Sequence, residues 1–487
     1  MRKPLLICLL LALTGALAAA DTQIPWDLPT LLQRIPPLKH DPTGRLAMVT
    51  WDRFRMSADD KSFEQGTPLP AEMYRALAAR GLTQALFPDE KYLPMALAIQ
   101  QAGGQVIFVQ GDGGNGAYAA EALHQLPKDY KIPADDIHYA CPLELAGWNV
   151  RANSLRATLG KFRAAGVNVT GFWMDWEGEP WPLKEQWAQA KTCPRCRAEF
   201  PPGVLDDWER YRAYVAELRA ELFSAYLAAP VREIYPTCSV TNWEAVFSAP
   251  ESVTWSWTQS RSLPPQQIGL LTGSNPIAYG DDMLYKFHWP KLGKLPLNQE
   301  NMDRLYTAVE LAQISQNAAV QGQWAPEKQT IPWVDRYCPD ADDPKVPMFS
   351  RDRYREVLRH LWLRGATSMQ LFQPVRPGHE SVATEEVEDA VAIYDEMLEY
   401  RKFLDAGQVM NTAAPGLQEH GPIWSGLRLG DKAVVRAFVQ DTHPASVTLR
   451  PWPDAPAVTL VAPPAGATYR LRHVPGRPVE VHKEKSL

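Results

Sequence analysis

The fold class this sequence predicts is α/β: a (β/α)8 TIM barrel with a small C-terminal β-sandwich. Three observations predict it. Between residues 44 and 405, short apolar runs without helical period alternate with amphipathic segments, unit after unit. At most of these runs the C-terminal end carries an acid, a tryptophan or an amide, as the functional rim of such a barrel does. From residue 408 to 487 the pattern changes to short alternating segments between proline- and glycine-rich turns. An open doubly wound sheet is the competing arrangement, and it does not need polar residues after every strand.

In chain order, residues 1–20 read as a signal peptide and 21–43 as a proline-rich lead-in. The barrel strands are expected at 46–51, 83–87, 105–110, 167–177, 233–241, 276–279, 319–324 and 367–372. Helices are expected at 70–80, 92–102, 153–165, 206–228, 301–316, 351–364 and 385–404. Gly81, Gly166 and Gly365 stop three of them, glycine being the residue that leaves a helix most easily. The strands of the last region are expected at 433–439, 446–450, 457–461 and 468–472.

Arg2 and Lys3 precede an apolar run over 5–17, and Ala16-Leu-Ala18-Ala-Ala20 before Asp21 has the form of an export cleavage site. The run is too short for a comfortable membrane span. The expectation is an exported chain, periplasmic or secreted, with no membrane anchor after cleavage. A formal net charge of −6 argues against nucleic acid or an anionic membrane as partner. The 17 tryptophans suit stacking on sugar rings, although many will simply be core. Gly111-Asp-Gly-Gly-Asn-Gly116 is neither GxGxxG nor a Walker loop, so no cofactor is expected. Of the six cysteines, Cys8 leaves with the leader. Cys193-Pro-Arg-Cys196 is expected to brace a loop as a disulfide; zinc would need recruited ligands, since no second CxxC exists.

The chemistry centres on Val167-Asn-Val-Thr-Gly-Phe-Trp-Met-Asp-Trp-Glu-Gly-Glu-Pro180. If the strand runs to Glu177, then Gly171, Trp173, Asp175 and Glu177 share one face, with the two acids about 6.5–7 Å apart. Their tryptophan neighbours imply a water-poor cleft where one acid stays protonated and the other ionised. A barrel with acids and aromatics at its mouth fits glycoside hydrolysis of an oligo- or polysaccharide. The competing reading is a strand end whose acids cap a helix or meet an arginine.

Met174-Asp175-Trp176-Glu177 resembles the end of the D-x-D-x-E signature on strand four of the family-18 chitinases. Ile277-Ala-Tyr279-Gly-Asp281 is similar to that family's tyrosine–aspartate on strand six. The resemblance implies Glu177 as general acid, Asp175 as the residue orienting a substrate N-acetyl group, and Tyr279 as a stabiliser of the intermediate. The signature's first aspartate is Trp173 here. The chain also looks like the large glycosidase clan with its acid on strand four and nucleophile on strand seven. That resemblance again makes Glu177 the acid, and makes Glu327 in Gln323-Trp-Ala-Pro-Glu327 the nucleophile.

Asp52 and Asp112 could bond sugar hydroxyls or cap helices; Asp281 and Gln373 follow strands six and eight. Trp173, Trp181 and Trp324 are candidate stacking surfaces or core. No metal site is expected, since no calcium loop accompanies Asp281 and Asp282. A carbohydrate-binding barrel without catalysis is the alternative function, because fold does not dictate activity.

Overall fold

The computed structural model describes residues 24–111, 143, 145–176, 184–244, 270–278, 296, 298–324, 329–336, 346–372, 378–413, 415 and 421–484. The segment 1–20, expected to be a signal peptide, lies outside them. Within the lead-in, α1 (Leu28–Arg34) starts where Asp27 accepts the Thr30 N–H at 2.8 Å. Its Leu28 and Leu31 sink into the main core, so this segment belongs to the barrel body.

Among the described residues eight strands close the barrel. They are β1 (Met48–Thr50), β2 (Leu82–Thr83 and Ala85–Leu86), β3 (Val106–Gly111), β4 (Val169–Asp175), β5 (Ser239–Glu244), β6 (Gly273–Ala278), β7 (Gln329–Thr330 and Trp333–Val334) and β8 (Gln370–Leu371). Every pairing is parallel, and β8 returns to β1. The first half of β2 pairs with β1 and the second with β3, so the bend at Gln84 joins the two ends of the sheet. A closed sheet has no bare edge, and its strand C-termini converge on one mouth.

The helices follow in turn: α2 (Ser62–Gln65), α3 (Ala71–Ala78), α4 (Leu93–Gln101), α5 (Leu145–Ala164), α6 (Lys184–Thr192), α7 (Pro194–Glu199), α8 (Trp208–Leu222), α9 (Ala229–Ile234), α10 (Gln299–Trp324), α11 (Arg351–Trp362), α12 (Glu380–Leu398) and α13 (Arg401–Ala406). A π-helical segment, Phe223–Ala228, joins α8 to α9.

Strand alternation sorts the side chains into two cores. On β4, Phe172 and Met174 face the helices, while Trp173 fills the barrel interior with Ile107, Trp243 and Trp333. Each such fully buried apolar side chain contributes roughly 1.5–3 kcal/mol. Gly273 has no room for more than a hydrogen, because a Cβ there would stand 2.0 Å from the Gln329 carbonyl oxygen on β7.

Two expectations fail here. The run 319–324 is the end of the 26-residue helix α10, not strand seven. Its opening Ala319-Val320 is equally compatible with helix, and the helical pattern of 301–316 simply continues through it. Strand seven is Gln-Thr-Ile-Pro-Trp-Val, split where Pro332 lacks an N–H to donate. Strand five begins only at Ser239, because α9 takes residues 229–234.

The C-terminal region forms two antiparallel sheets. One runs β9 (Gln408–Val409), β10 (Pro422–Leu429), β11 (Lys432–Val439), β14 (Ala467–Arg472) and β15 (Glu480–Lys483), with β12 (Ala445–Leu449) and β13 (Val458–Ala462) as the second. Among the described residues neither pairs with the barrel sheet. On β11, Val435 and Ala437 pack toward β12 and β13, while Val434 and Phe438 join Ile423 and Leu427 in the barrel's own core. Both faces of this sheet are therefore covered, and the region is welded to the barrel by shared packing.

Candidate active site

The mouth of the barrel collects the C-terminal ends of the strands. β4 is a strand because Val169-Thr-Gly-Phe-Trp-Met-Asp175 is rich in β-branched and aromatic residues. Its last residue, Asp175, pairs with Gly111 on β3 and is half-buried on the inward face, next in line above Trp173. The strand stops there, two residues short of Glu177. Trp176 turns its ring outward, against Trp148 at 5.5 Å and beneath the Arg151 guanidinium at 5.7 Å. Its peptide group is gripped by Asn242 of β5 and by Arg219 of α8.

One wall of the mouth is aromatic. Trp51 after β1, Trp333 on β7 and Phe372 after β8 meet edge to face, with ring centres 5.4, 5.0 and 5.8 Å apart. Trp51 and Phe372 remain half-exposed, whereas Trp333 is buried. Asp52 follows Trp51 and is half-buried. The next residue, Arg53, lays its guanidinium between the rings of Phe63 at 5.0 Å and Phe87 at 4.7 Å. Burial holds Arg53 below the usual arginine value, with the Asp52 charge opposing.

A second group of acids lies behind β7. Asp335, directly after the strand, is 1% exposed; Glu310 of α10 and Glu386 of α12 are as deeply buried. Burial pushes the Glu310 carboxyl well up, and the charges of Asp335 and Glu386 push the same way. Among the described residues, neither Glu310 oxygen has a hydrogen-bond partner. The Tyr354 hydroxyl is raised too, by burial first and then by the same acids. Arg336 ties the group to the helices, its N–H on Glu386 at 2.8 Å and its Nη1 on Glu385 at 2.6 Å. Among the described residues no three His, Cys, Asp or Glu side chains are arranged to hold a metal ion.

The structure places the expected residues unevenly. Asp175 and Trp173 share the inward face of β4, and Asp52 stands at the mouth three strands away. Trp173 offers no stacking face: it is wholly buried, and its Nε1 donates to Ser239 Oγ at 3.2 Å. Trp324 ends helix α10 and so is not at a strand tip. Glu177, Tyr279, Glu327, Asp112, Trp181, Asp281 and Gln373 lie outside the described residues. Glu327 nonetheless precedes β7 in the chain, and does not follow it, which removes the reason for assigning it a nucleophile's place. Sequence reasoning missed Phe372, Asp335 and Asn242, and treated Trp51 only as a strand end; reading 329–334 as strand seven would have found Asp335.

Cys193 and Cys196 are not joined to each other by a disulfide, against the expectation. Cys193 caps α7, its Sγ accepting the Cys196 N–H at 3.5 Å, and both pack in an apolar pocket with Phe200 and Tyr211. The helix begins between them, so the pair is arranged as a cap.

No protein-family model and no curated protein matches the chain. Among solved structures it is similar to alpha-L-fucosidase isoenzyme 2 from Paenibacillus thiaminolyticus, with 12% identity over 73% of this chain and a TM-score of 0.42. It spans 50% of that fucosidase's length. It is also similar to the alpha-amylase from Geobacillus thermoleovorans, with 10% identity, 92% of each chain covered and a TM-score of 0.41. A third likeness is to a beta-galactosidase from the haloarchaeon Halorubrum lacusprofundi, with 12% identity over 74% of this chain and 59% of that one, TM-score 0.44.

Proposed function

We propose that this protein is an exported glycoside hydrolase acting on an oligo- or polysaccharide in the periplasm or outside the cell. The observation that carries the reading is the position of Asp175: a half-buried carboxyl at the tip of a barrel strand, facing the mouth, with a second acid two residues further on. The aromatic wall of Trp51 and Phe372 supports it, since sugar rings stack on such faces.

In this reading Glu177 is the general acid. It gives its proton to the glycosidic oxygen as the bond from that oxygen to the anomeric carbon breaks. The Asp175 carboxylate faces the positive charge that builds on the sugar, or holds a substrate acetamido group against it. Water then adds to the anomeric carbon and its proton returns to Glu177. Tyr279, one residue beyond β6, supplies a hydroxyl to the same intermediate. Metal or organic cofactors have no part in the scheme.

Glu177→Gln tests the proposal, because it keeps shape and removes the transferable proton. Turnover of a natural glycoside should fall roughly 10²–10⁴-fold. Nitrophenyl glycosides, which need little protonation, should lose much less. Unchanged rates on the natural substrate would rule out the assignment.

A further inference from the structure

The chain leaves β4 through Trp176, and two buried side chains grip that residue's peptide groups. Asn242 of β5 is fully buried. Its Oδ1 accepts the Trp176 N–H at 3.0 Å, and its Nδ2 donates to the Trp176 carbonyl at 3.4 Å and the Trp243 carbonyl at 2.9 Å. Arg219 of α8, also fully buried, donates Nη2 to the Trp176 carbonyl at 3.1 Å. The Arg219 guanidinium lies 4.3 Å from the ring centre of Phe223, the first residue of the π-helical segment. Such segments widen a helix locally and recur at functional sites.

An asparagine amide carries one acceptor and one donating group, as a peptide does. The β4–β5 ladder ends at the Met174–Asn242 pair, and the Asn242 side chain supplies the next rung. Trp176 is therefore fixed at its N–H, its carbonyl and its ring at once. It is the single residue between Asp175 and Glu177.

The geometry points to Asn242 as a positioning residue: backed by Arg219, it fixes the peptide of Trp176, the residue through which the chain leaves Asp175 and which Glu177 follows in sequence. This rests on the hydrolase reading above. A small misplacement of a reacting group costs on the order of 10²-fold in rate, so a clamp one residue away bears on turnover more than on substrate binding.

Asn242→Leu removes both rungs at similar volume. Asn242→Asp keeps the acceptor, and regains a donor only when its carboxyl is protonated. Asn242→Leu should lower kcat on a natural glycoside about 10–100-fold while KM moves less than about threefold. The loss should shrink on nitrophenyl glycosides and vanish when Glu177→Gln is already present. Asn242→Asp should recover kcat, relative to wild type, as pH falls. Losses equal across leaving groups, or fully additive with Glu177→Gln, overturn the proposal. If the wild type hydrolyses no glycoside on an array, the hydrolase reading fails on its own account. Hydrogen exchange then judges the clamp: the Trp176 amide should exchange slowly in wild type and fast in Asn242→Leu, with the Phe172 amide unchanged as a check on folding. Equal exchange at Trp176 in the two proteins overturns the clamp itself.

Discussion

Glu356 of α11 and Arg436 of β11 meet in a two-point ion pair, Nε to Oε1 at 2.8 Å and Nη2 to Oε2 at 2.7 Å, between the barrel and the C-terminal sheet. Burial alone would raise the Glu356 carboxyl; Arg436, with His360 beside it, holds it well below the usual range. Breaking a buried pair strands one charge. Arg436→Met should therefore cost about 3–5 kcal/mol in denaturant unfolding. Adding Glu356→Leu should return much of it, which a double-mutant cycle will show.

His360 gives the same junction a pH dependence. Burial pulls its imidazole down to about 4, with Glu356 opposing, while Ser425 Oγ sits 2.7 Å from Nδ1. The unfolded chain takes up its proton near 6.5, well before the folded one does. Stability should fall as pH drops from about 6.5 to about 4. Melting temperatures of wild type and His360→Gln should diverge across that window and run parallel above it.

Glu310 works with the opposite sign. Its folded value lies well above the ordinary 4.5 of a glutamate, so its contribution is complete below that pH and is lost as pH rises. Glu310→Gln keeps the neutral shape. The variant should melt several degrees above wild type at pH 8, with the gap closing toward pH 4. A constant gap at all pH values would show that Glu310 carries no charge-linked cost.

At the mouth, Asp175→Asn should reduce turnover about 10²-fold or more, by a similar factor on good and poor leaving groups. Trp51→Ala should weaken substrate binding about 3–10-fold, the scale of one lost aromatic contact, and leave turnover nearly intact. Steady-state kinetics on the same substrate separates the two.

Cys238 should resist chemistry. It is fully buried, and burial pushes its thiol up to about 12, with Arg232 opposing. Iodoacetamide should label it only after unfolding, and mass spectrometry of native and denatured samples will read this directly.

The barrel was legible where the pattern was strong. The apolar run ending at Asp175 needs no tertiary context to read as a strand, and its alternation placed Trp173 inward and Phe172 outward correctly. The same holds for 433–439, whose alternating residues face two cores. Strand seven was illegible because Pro332 divides it into two short pieces, while the Ala-Ala-Val before it mimics a strand. Asn242 was visible as a residue but not as a clamp, since the residue it grips, Trp176 just after β4, lies 66 residues away in the chain. Glu310 was hidden for a related reason: a helical glutamate reads as solvent-facing until the strand it packs against is placed.

The double-faced C-terminal sheet also sets a timetable for synthesis. Ile423, Leu427, Val434 and Phe438 complete the core that Val357 and Leu361 of α11 begin. A growing chain makes α11 first, and only later the strands that cover it. Until residue 438 or so has emerged, the barrel's last helices carry an uncovered apolar flank, and the buried Glu356 waits for its arginine. The nascent protein thus stays short of its final fold until these late strands have been made.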